Sequence, residues 1–351
     1  MKAFDHPLYL SDVEDVARLD LPWDKLGGKT VLLSGGTGLI GSCLVDVLMK
    51  RNSLENLGCT VIALGRGEER AKERFIAYSD NPLFQFIKQD INLPLALPVR
   101  ADYVIHLASN THPVAYATEP VSTIMTNITG LQNMLDFARS CGAERFAFAS
   151  SNEIYGENRG DVEFFDEKYC GYIDSNTLRA GYPESKRCGE ALCQAYKQQY
   201  GLDVVIPRFT RSFGPTLLPS DTKAMSQFLR NAVRKENIVL KSEGLQHYSY
   251  TYVADAVSGL LYVLLLGISG EAYNIADVSG DITLRDLAAE LAAIAGTKVV
   301  FDLPSAAEAA GFSKATKARL SSAKLQALGW KCRFPIKVGL HHTVESLLQA
   351  E

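Results

Sequence analysis

The sequence predicts an α/β fold: a doubly wound parallel sheet with a smaller lobe added toward the C-terminus. Three observations carry this. Short apolar runs alternate with stretches of helical periodicity between residues 28 and 214. The first of those runs passes directly into glycines, the pattern of a parallel strand that turns into a helix. The alternation then breaks after Pro215.

The elements follow in order. Residues 1–27 read as an N-terminal extension, in which Ser11-Asp12-Val13-Glu14 has the capping-box pattern that opens a short helix. Val31-Leu32-Leu33-Ser34 is a short apolar run before glycines, hence a buried strand, and the run from Ser42 to Lys50 sets Leu44, Val45 and Leu48 on one helical face. Strands are expected at Val61–Leu64, Phe84–Ile87 and Tyr103–Leu107, a long helix over 121–140, and a fifth strand at Phe146–Ala149. A helix from Tyr182 to Tyr200 and a sixth strand at Val204–Ile206 complete a dinucleotide-binding domain over 28–214. Residues 251–268 are expected to return to it, Tyr252 to Leu266 forming a strand and helix, while 215–250 and 269–351 build a substrate-binding lobe.

Composition excludes several classes. A net charge of -4 leaves no basic field for nucleic acid. The seven cysteines form no CxxC pair, which reads as a reduced, intracellular set rather than a disulfide frame or a zinc site. The early residues are acidic and lack an apolar stretch of signal-peptide type, and Leu260–Leu266 is too short to cross a bilayer. Six scattered histidines offer no metal site, although His112 stands on a loop placed to overhang a ligand. The expectation is a soluble cytoplasmic protein without metal, membrane or nucleic-acid partner.

Gly35-Gly36-Thr37-Gly38-Leu39-Ile40-Gly41 carries the Gly-x-Gly-x-x-Gly spacing between a strand and a helix. Glycines there let backbone approach a pyrophosphate, and the helix start offers unpaired N–H groups to it. The second strand ends Leu64-Gly65-Arg66, with no acid for an adenosine ribose; Arg66 would meet a 2′-phosphate, tilting the expectation toward NADP, while Glu68 and Glu69 keep NAD open. Asp90-Ile91, after the third strand, would contact the adenine, or Asp90 would cap the following turn. Tyr182-Pro183-Glu184-Ser185-Lys186 places a phenol and an ammonium at i, i+4 on one helical face. A cation beside a phenol favours the phenolate and lowers its pKa, which suits proton removal from a sugar hydroxyl. Ser151, at the end of the fifth strand, is placed to bond the same hydroxyl.

These motifs resemble the extended short-chain dehydrogenase/reductase family, in its NAD(P)-dependent epimerase/dehydratase branch, over residues 28–300. The resemblance also rests on His106-Leu107-Ala108, Asn127, the Arg208–Pro215 loop and Tyr252-Val253-x-Asp255. It implies a Rossmann-type domain holding NAD or NADP on Gly35, Thr37, Gly38, Leu39, Ile40, Gly41, Leu107 and Ala108, with Tyr182 and Lys186 at the nicotinamide end. It implies a nucleotide-sugar substrate oxidised at C4, a catalytic set of Ser151, Tyr182 and Lys186, and a homodimer. In the family's dehydratases and decarboxylases a glutamate stands two positions after the catalytic Ser/Thr, and here that residue is Glu153. The reaction implied is 4,6-dehydration or decarboxylation, with 4-epimerisation as the alternative and a non-catalytic cofactor sensor as the reading of another class. Three positions depart from the pattern: Asn152 stands where dehydratases often carry an acid, Tyr248 replaces the arginine that grips the substrate diphosphate, and Arg211 replaces an asparagine. Asn152, Arg211 and Tyr248 are accordingly expected at the substrate, with Arg211 restoring the missing positive charge.

Overall fold

The structure is a computed structural model that describes residues 2–111, 116, 118–302 and 317–349; His112 lies outside them. The strands are β1 Thr30–Ser34, β2 Thr60–Gly65, β3 Phe84–Lys88, β4 Tyr103–His106, β5 Arg145–Phe148, β6 Ser150–Ser151 and β7 Val204–Phe209. They continue with β8 Arg211–Phe213, β9 Ile238–Leu240, β10 His247–Tyr252, β11 Ala272–Ile275, β12 Asp281–Thr283, β13 Val299–Phe301 and β14 Lys317–Ala318. The main sheet runs β11-β7-β5-β4-β1-β2-β3, every neighbour parallel, with β6 also paired to β7.

Both faces of the sheet's centre are covered, which is why β1, β2 and β5 read as apolar runs. Val31 and Leu33 point into one core with Leu44 and Leu48 of the helix Leu39–Glu55. Leu32, between them, points into the other with Leu131 and Leu135 of the helix Leu131–Cys141. All three strand residues are fully buried, each contributing about 1.5–3 kcal/mol of apolar burial. Because β1 has β2 on one side and β4 on the other, the winding reverses there, and a crevice opens at the carboxyl ends of β1 and β4.

Several elements depart from the sequence reading. The first helix, Pro7–Ala17, starts before Ser11: Pro7 suits the first helical turn and His6 caps it, its Nδ1 accepting from the Leu8 N–H at 3.3 Å. This extension is latched to the body, with Tyr9 donating to Asp46 at 2.5 Å and Asp12 accepting from Tyr252 at 2.7 Å. The helix expected over 121–140 is three pieces in line, Pro120–Met125, a wider π turn at Thr126–Gly130, and Leu131–Cys141.

The lobe boundaries move as well. β10 belongs to a second sheet with β8, β12 and β14, so the strand expected to return to the first domain does not. The helix Val253–Leu266 does return, sharing a core with Val205 of β7 through Val257, Leu260 and Leu264. β11, expected in the lobe, is an edge strand of the main sheet. Its Asn274 hides it from an apolar-run search. That side chain accepts from the Tyr155 hydroxyl at 2.6 Å and donates to the carbonyls of Phe165 and Ser321. Among the described residues no helix is long and apolar enough to cross a membrane.

Candidate active site

The turn after β1 is shaped by what its glycines lack. Gly35 sits at φ +72°, and a Cβ there would lie 2.8 Å from the Ala108 nitrogen. A Cβ at Gly41 would overlap the Gly35 carbonyl oxygen, so the helix could not start so close to the strand. The helix begins at Leu39 with Gly38 as N-cap and no side chain capping its first N–H groups, which leaves them for a ligand, while Thr216 donates to the Leu39 carbonyl at 2.9 Å. Thr37, Leu39 and Ile40 are half-buried along this turn, and Leu107 and Ala108 face it from the end of β4. The Ala108 N–H donates to the Ser34 hydroxyl at 3.2 Å, and that hydroxyl also meets His106 Nδ1 at 2.8 Å. Burial pushes His106 down to about 3, so it stays neutral and structural, and no metal-ligating cluster exists among the described residues.

The expected proton-transfer set converges beyond β5 and β6. Ser151, Asn152, Tyr182 and Lys186 are all buried. The Tyr182 phenol lies near the hydroxyls of Ser151 and Ser109 and the carboxylate of Glu153, and its ring meets that of Tyr116 at 5.1 Å between centroids. Lys186 donates to the Ala149 carbonyl at 2.8 Å, its ammonium 5.9 Å from the Tyr182 ring centre. The helix carrying both is anchored through Asn127, which accepts from Ser109 at 2.7 Å and donates to Ser185 at 2.9 Å.

Electrostatics here differ from the sequence expectation. The Tyr182 pKa is raised, chiefly by burial and then by the Glu153 carboxylate, against the opposing pull of Ser151, Arg179 and Ser109. Lys186 is itself buried, and desolvation pushes it down to about 7. The lowered phenol pKa expected from the i, i+4 pair is therefore absent in this state, because burial disfavours both charged forms.

Glu153 is no isolated acid. Arg179 Nη2 donates to both its oxygens, at 2.8 and 2.7 Å, and the guanidinium lies 5.0 Å from the centre of the Tyr116 ring. Sequence reasoning missed Arg179. It stands three residues before Tyr182, but nothing in the chain shows that it reaches a residue 26 positions back. It also missed Arg70, whose guanidinium donates to the Thr37 carbonyl at 2.7 Å on the rim of the glycine turn.

The remaining candidates separate into those near the crevice and those spent on structure. Arg66 is exposed at the end of β2. Asp90 accepts from the Asn92 N–H at 2.9 Å, capping its turn, and Ile91 is buried against Gly130. Ser151 pairs with Phe209, and two residues further the chain reaches Arg211. The Arg211 guanidinium lies 3.6 Å from the centre of the Tyr248 ring, a cation–π contact, and its Nη1 is buried without a partner among the described residues. Arg208 is structural, held by Glu190 at 2.6 Å and donating to Tyr155 at 2.9 Å. Asp255 is structural too, accepting the N–H groups of Arg333 and Phe334 at 2.9 Å each.

The uncapped helix start, the glycines that a Cβ would fill, and a buried Tyr-Lys pair at the same crevice fit a nicotinamide dinucleotide. The class so defined is a dinucleotide-dependent α/β enzyme with a buried Tyr182–Lys186 pair beyond its glycine turn. Residues 31–276 match the model of the NAD dependent epimerase/dehydratase family, and the chain belongs to that family. It is similar to UDP-glucuronic acid decarboxylase 3 of Arabidopsis thaliana, 31% identical over 310 residues, 88% of this chain and 86% of that protein. UDP-glucuronic acid decarboxylase 2 of the same plant is 35% identical over 264 residues, 75% of this chain but only 56% of that relative. Among solved structures, dTDP-glucose 4,6-dehydratase from Streptomyces venezuelae with NAD bound superposes with a TM-score of 0.78 at 25% identity, covering 91% of this chain and 97% of the other.

The buried ammonium has a measurable consequence. Lys186 titrates at about 7 in the folded protein, whereas in the unfolded chain it keeps its ordinary value of about 10.4. The unfolded state holds the extra proton between those values, so stability rises with pH across that window and is lowest below it. Lys186→Met, with no charge to desolvate, should melt above the parent at neutral pH when both lack cofactor, and the gap should close as the pH approaches 10. Calorimetric scans across that range read the gap; one that stays constant would show that the ammonium is not desolvated.

Proposed function

We propose that this protein is a NAD(P)-dependent lyase that oxidises a nucleotide-linked sugar at C4 and then removes carbon dioxide or water from it. The observation that carries the reading is the Glu153–Arg179 pair beside Tyr182. A 4-epimerase needs only a phenol and a hydroxyl at C4. A carboxylate and a guanidinium reaching toward C5 serve a reaction at the next carbon. The likeness to UDP-glucuronic acid decarboxylases and to a dTDP-glucose 4,6-dehydratase supports the same class.

In this reading Gly35–Gly41 would hold the dinucleotide phosphates, and the bound group would supply a reversible electron acceptor for the C4 carbinol. The other roles belong to the chain. Ser151 and Tyr182 hold the C4 hydroxyl, and Tyr182 as phenolate takes its proton. Lys186 supplies the positive charge that favours phenolate over phenol. Once C4 is a ketone, a proton on C5 becomes acidic and a carboxyl on C5 becomes a β-keto acid. Glu153 is placed to take that proton if water is to leave, while loss of carbon dioxide requires no base at C5. Asn152 is an amide and has no proton to give at neutral pH, so acid catalysis of water loss would need another donor. That favours the decarboxylase branch of the reading.

Two finer points rest on arginines. No acid ends β2, and Arg66 exposed there with Arg70 on the turn would suit a 2′-phosphate and hence NADP, while the neighbouring Glu68 and Glu69 keep NAD open. Arg211, stacked on Tyr248 with a nitrogen buried without a partner among the described residues, takes over the diphosphate-binding role that Tyr248 cannot fill.

Mass spectrometry of products from a panel of UDP- and dTDP-sugars tests the class. Loss of carbon dioxide or water supports it, whereas an unchanged mass with inverted C4 assigns a 4-epimerase. Tyr182→Phe should lose nearly all turnover while still binding cofactor; near-parental turnover would remove Tyr182 from the mechanism. Fluorescence titration should show NADPH bound more tightly than NADH, with Arg66→Ala narrowing the difference; an equal or stronger grip on NADH overturns the preference. Arg211→Ala should weaken nucleotide-sugar affinity by roughly ten-fold or more, and unaltered affinity would leave the diphosphate to other groups.

A further inference from the structure

The helix Glu68–Arg74, which follows β2, has little core of its own. It is seven residues long, and only Ala71 among them is buried. A helix so short is unstable alone, so its placement depends on what grips its side chains. Arg70 and Arg74 are four apart and share one face, where two like charges destabilise the helix unless each finds a partner. Arg70 donates to the Thr37 carbonyl in the glycine turn at 2.7 Å. Arg74 donates to both carboxylate oxygens of Asp46, and to the Ser42 carbonyl at 3.3 Å. Asp46 is buried, and a buried carboxylate must have its bonds satisfied. Two hydroxyls also donate to it, from Tyr78 at 3.0 Å and from Tyr9 at 2.5 Å. Tyr9 belongs to the N-terminal extension, which also sets the Phe4 ring 4.3 Å from the Arg74 guanidinium. That extension precedes the residues matched by the family model. Its helix is fixed from another side, where Asp12 meets His342 at 2.9 Å and Tyr252 at 2.7 Å.

We propose that the N-terminal extension is a positioning element of the dinucleotide site, acting from Tyr9 through Asp46, Arg74 and Arg70 on the glycine turn. The inference rests on the dinucleotide reading of that turn and is independent of the sugar. Tyr9 keeps the Asp46 carboxylate oriented toward Arg74. Arg74 seats the short helix against the helix Leu39–Glu55, and the seated helix carries Arg70 to Thr37. The peptide between Thr37 and Gly38 is then held at both ends, its carbonyl by Arg70 and its N–H by the Gly35 carbonyl at 3.0 Å. This peptide immediately precedes the open helix start. A turn already held in shape loses less freedom when a pyrophosphate binds, so affinity rises. Tyr9 and Arg74 touch no ligand in this account; they are positioning residues.

The test is fluorescence titration of NADH and NADPH, at a temperature where circular dichroism shows each variant folded. Tyr9→Phe, which removes only the hydroxyl, should weaken both dinucleotides roughly five-fold. Arg70→Met, at an exposed side chain that leaves the Asp46 cluster intact, should weaken both by a similar factor, and it carries the test even if Tyr9→Phe does not fold. NADH has no 2′-phosphate, so a loss shared by the two ligands reports the glycine turn. A loss confined to NADPH would make Arg70 a direct phosphate contact and overturn the inference. The double variant should bind no more weakly than Arg70→Met alone, because both changes break one chain of contacts. Additive losses, or a Tyr9→Phe protein that melts lower but binds as the parent does, would leave Tyr9 with a purely structural role. Failure of the parent to bind either dinucleotide would sink the cofactor reading itself.

Discussion

The site depends on one buried hydrogen-bonded chain. Ser109, in the segment after β4, donates to Asn127; Asn127 donates to Ser185; and Ser185 donates to the Tyr182 carbonyl at 2.8 Å. Asn127 is fully buried, so each of its bonds is costly to break. It sits in the π turn at Thr126–Gly130, a widened turn that interrupts an otherwise α-helical run. Such turns are rare and concentrate where function sets the backbone. Here the turn hands one side chain to two other elements. The exit of β4, which faces the glycine turn, and the helix bearing Tyr182 and Lys186 are thereby held in one arrangement. Without that linkage the glycine turn and the Tyr182–Lys186 pair would be two features of one sheet with no fixed relation.

Desolvation sets the charge state that this arrangement holds. The crevice is dry enough to raise Tyr182 and to bring Lys186 down to about 7. Both shifts disfavour charge, so the resting pair is close to a neutral phenol beside an ammonium that loses its proton near neutrality. A catalytic phenolate would need this balance to reverse, and positive charge placed near the phenol is what reverses it. The protein supplies two sources: Lys186 on the same helix and Arg179 from the turn before it. Glu153 acts against them, raising the phenol, and its bonds to Arg179 moderate that effect. Burial and Glu153 thus raise the Tyr182 phenol while Ser151, Arg179 and Ser109 pull it down.

Much of this was legible in the chain. Most strands of the main sheet were visible because two-sided burial favours continuous apolar runs, and the glycine turn because only Gly fits at Gly35 and Gly41. Tyr182, Lys186 and Ser151 were visible because their spacing is local or because they end a strand. What escaped reading was long-range or masked by a polar residue. β11 was hidden by Asn274, whose partners lie in segments far along the chain. The reach of Arg179 to Glu153, and of Arg70 to the glycine turn, depends on how a turn and a helix pack, which no short motif encodes. The lowered phenol pKa was expected from the i, i+4 pair alone; the burial that overrides it belongs to the assembled crevice.

The arginines show how one residue type is divided by context. Arg208 is bound on several sides, by Glu190, Tyr155 and the Glu167 carbonyl, and its fork is exhausted in joining β7 to its neighbours. Arg211, three residues on, shares the chain direction but not the partners: its flat face rests on Tyr248, and one nitrogen is buried without an acceptor among the described residues. A guanidinium can bear this where an ammonium would not, because it is weakly hydrated and stacks on aromatic rings. The Tyr248 ring that replaces the family's arginine is thus also the platform that holds Arg211. The ring provides the surface on which the Arg211 guanidinium lies, and without it the cation would lose the face that orients it.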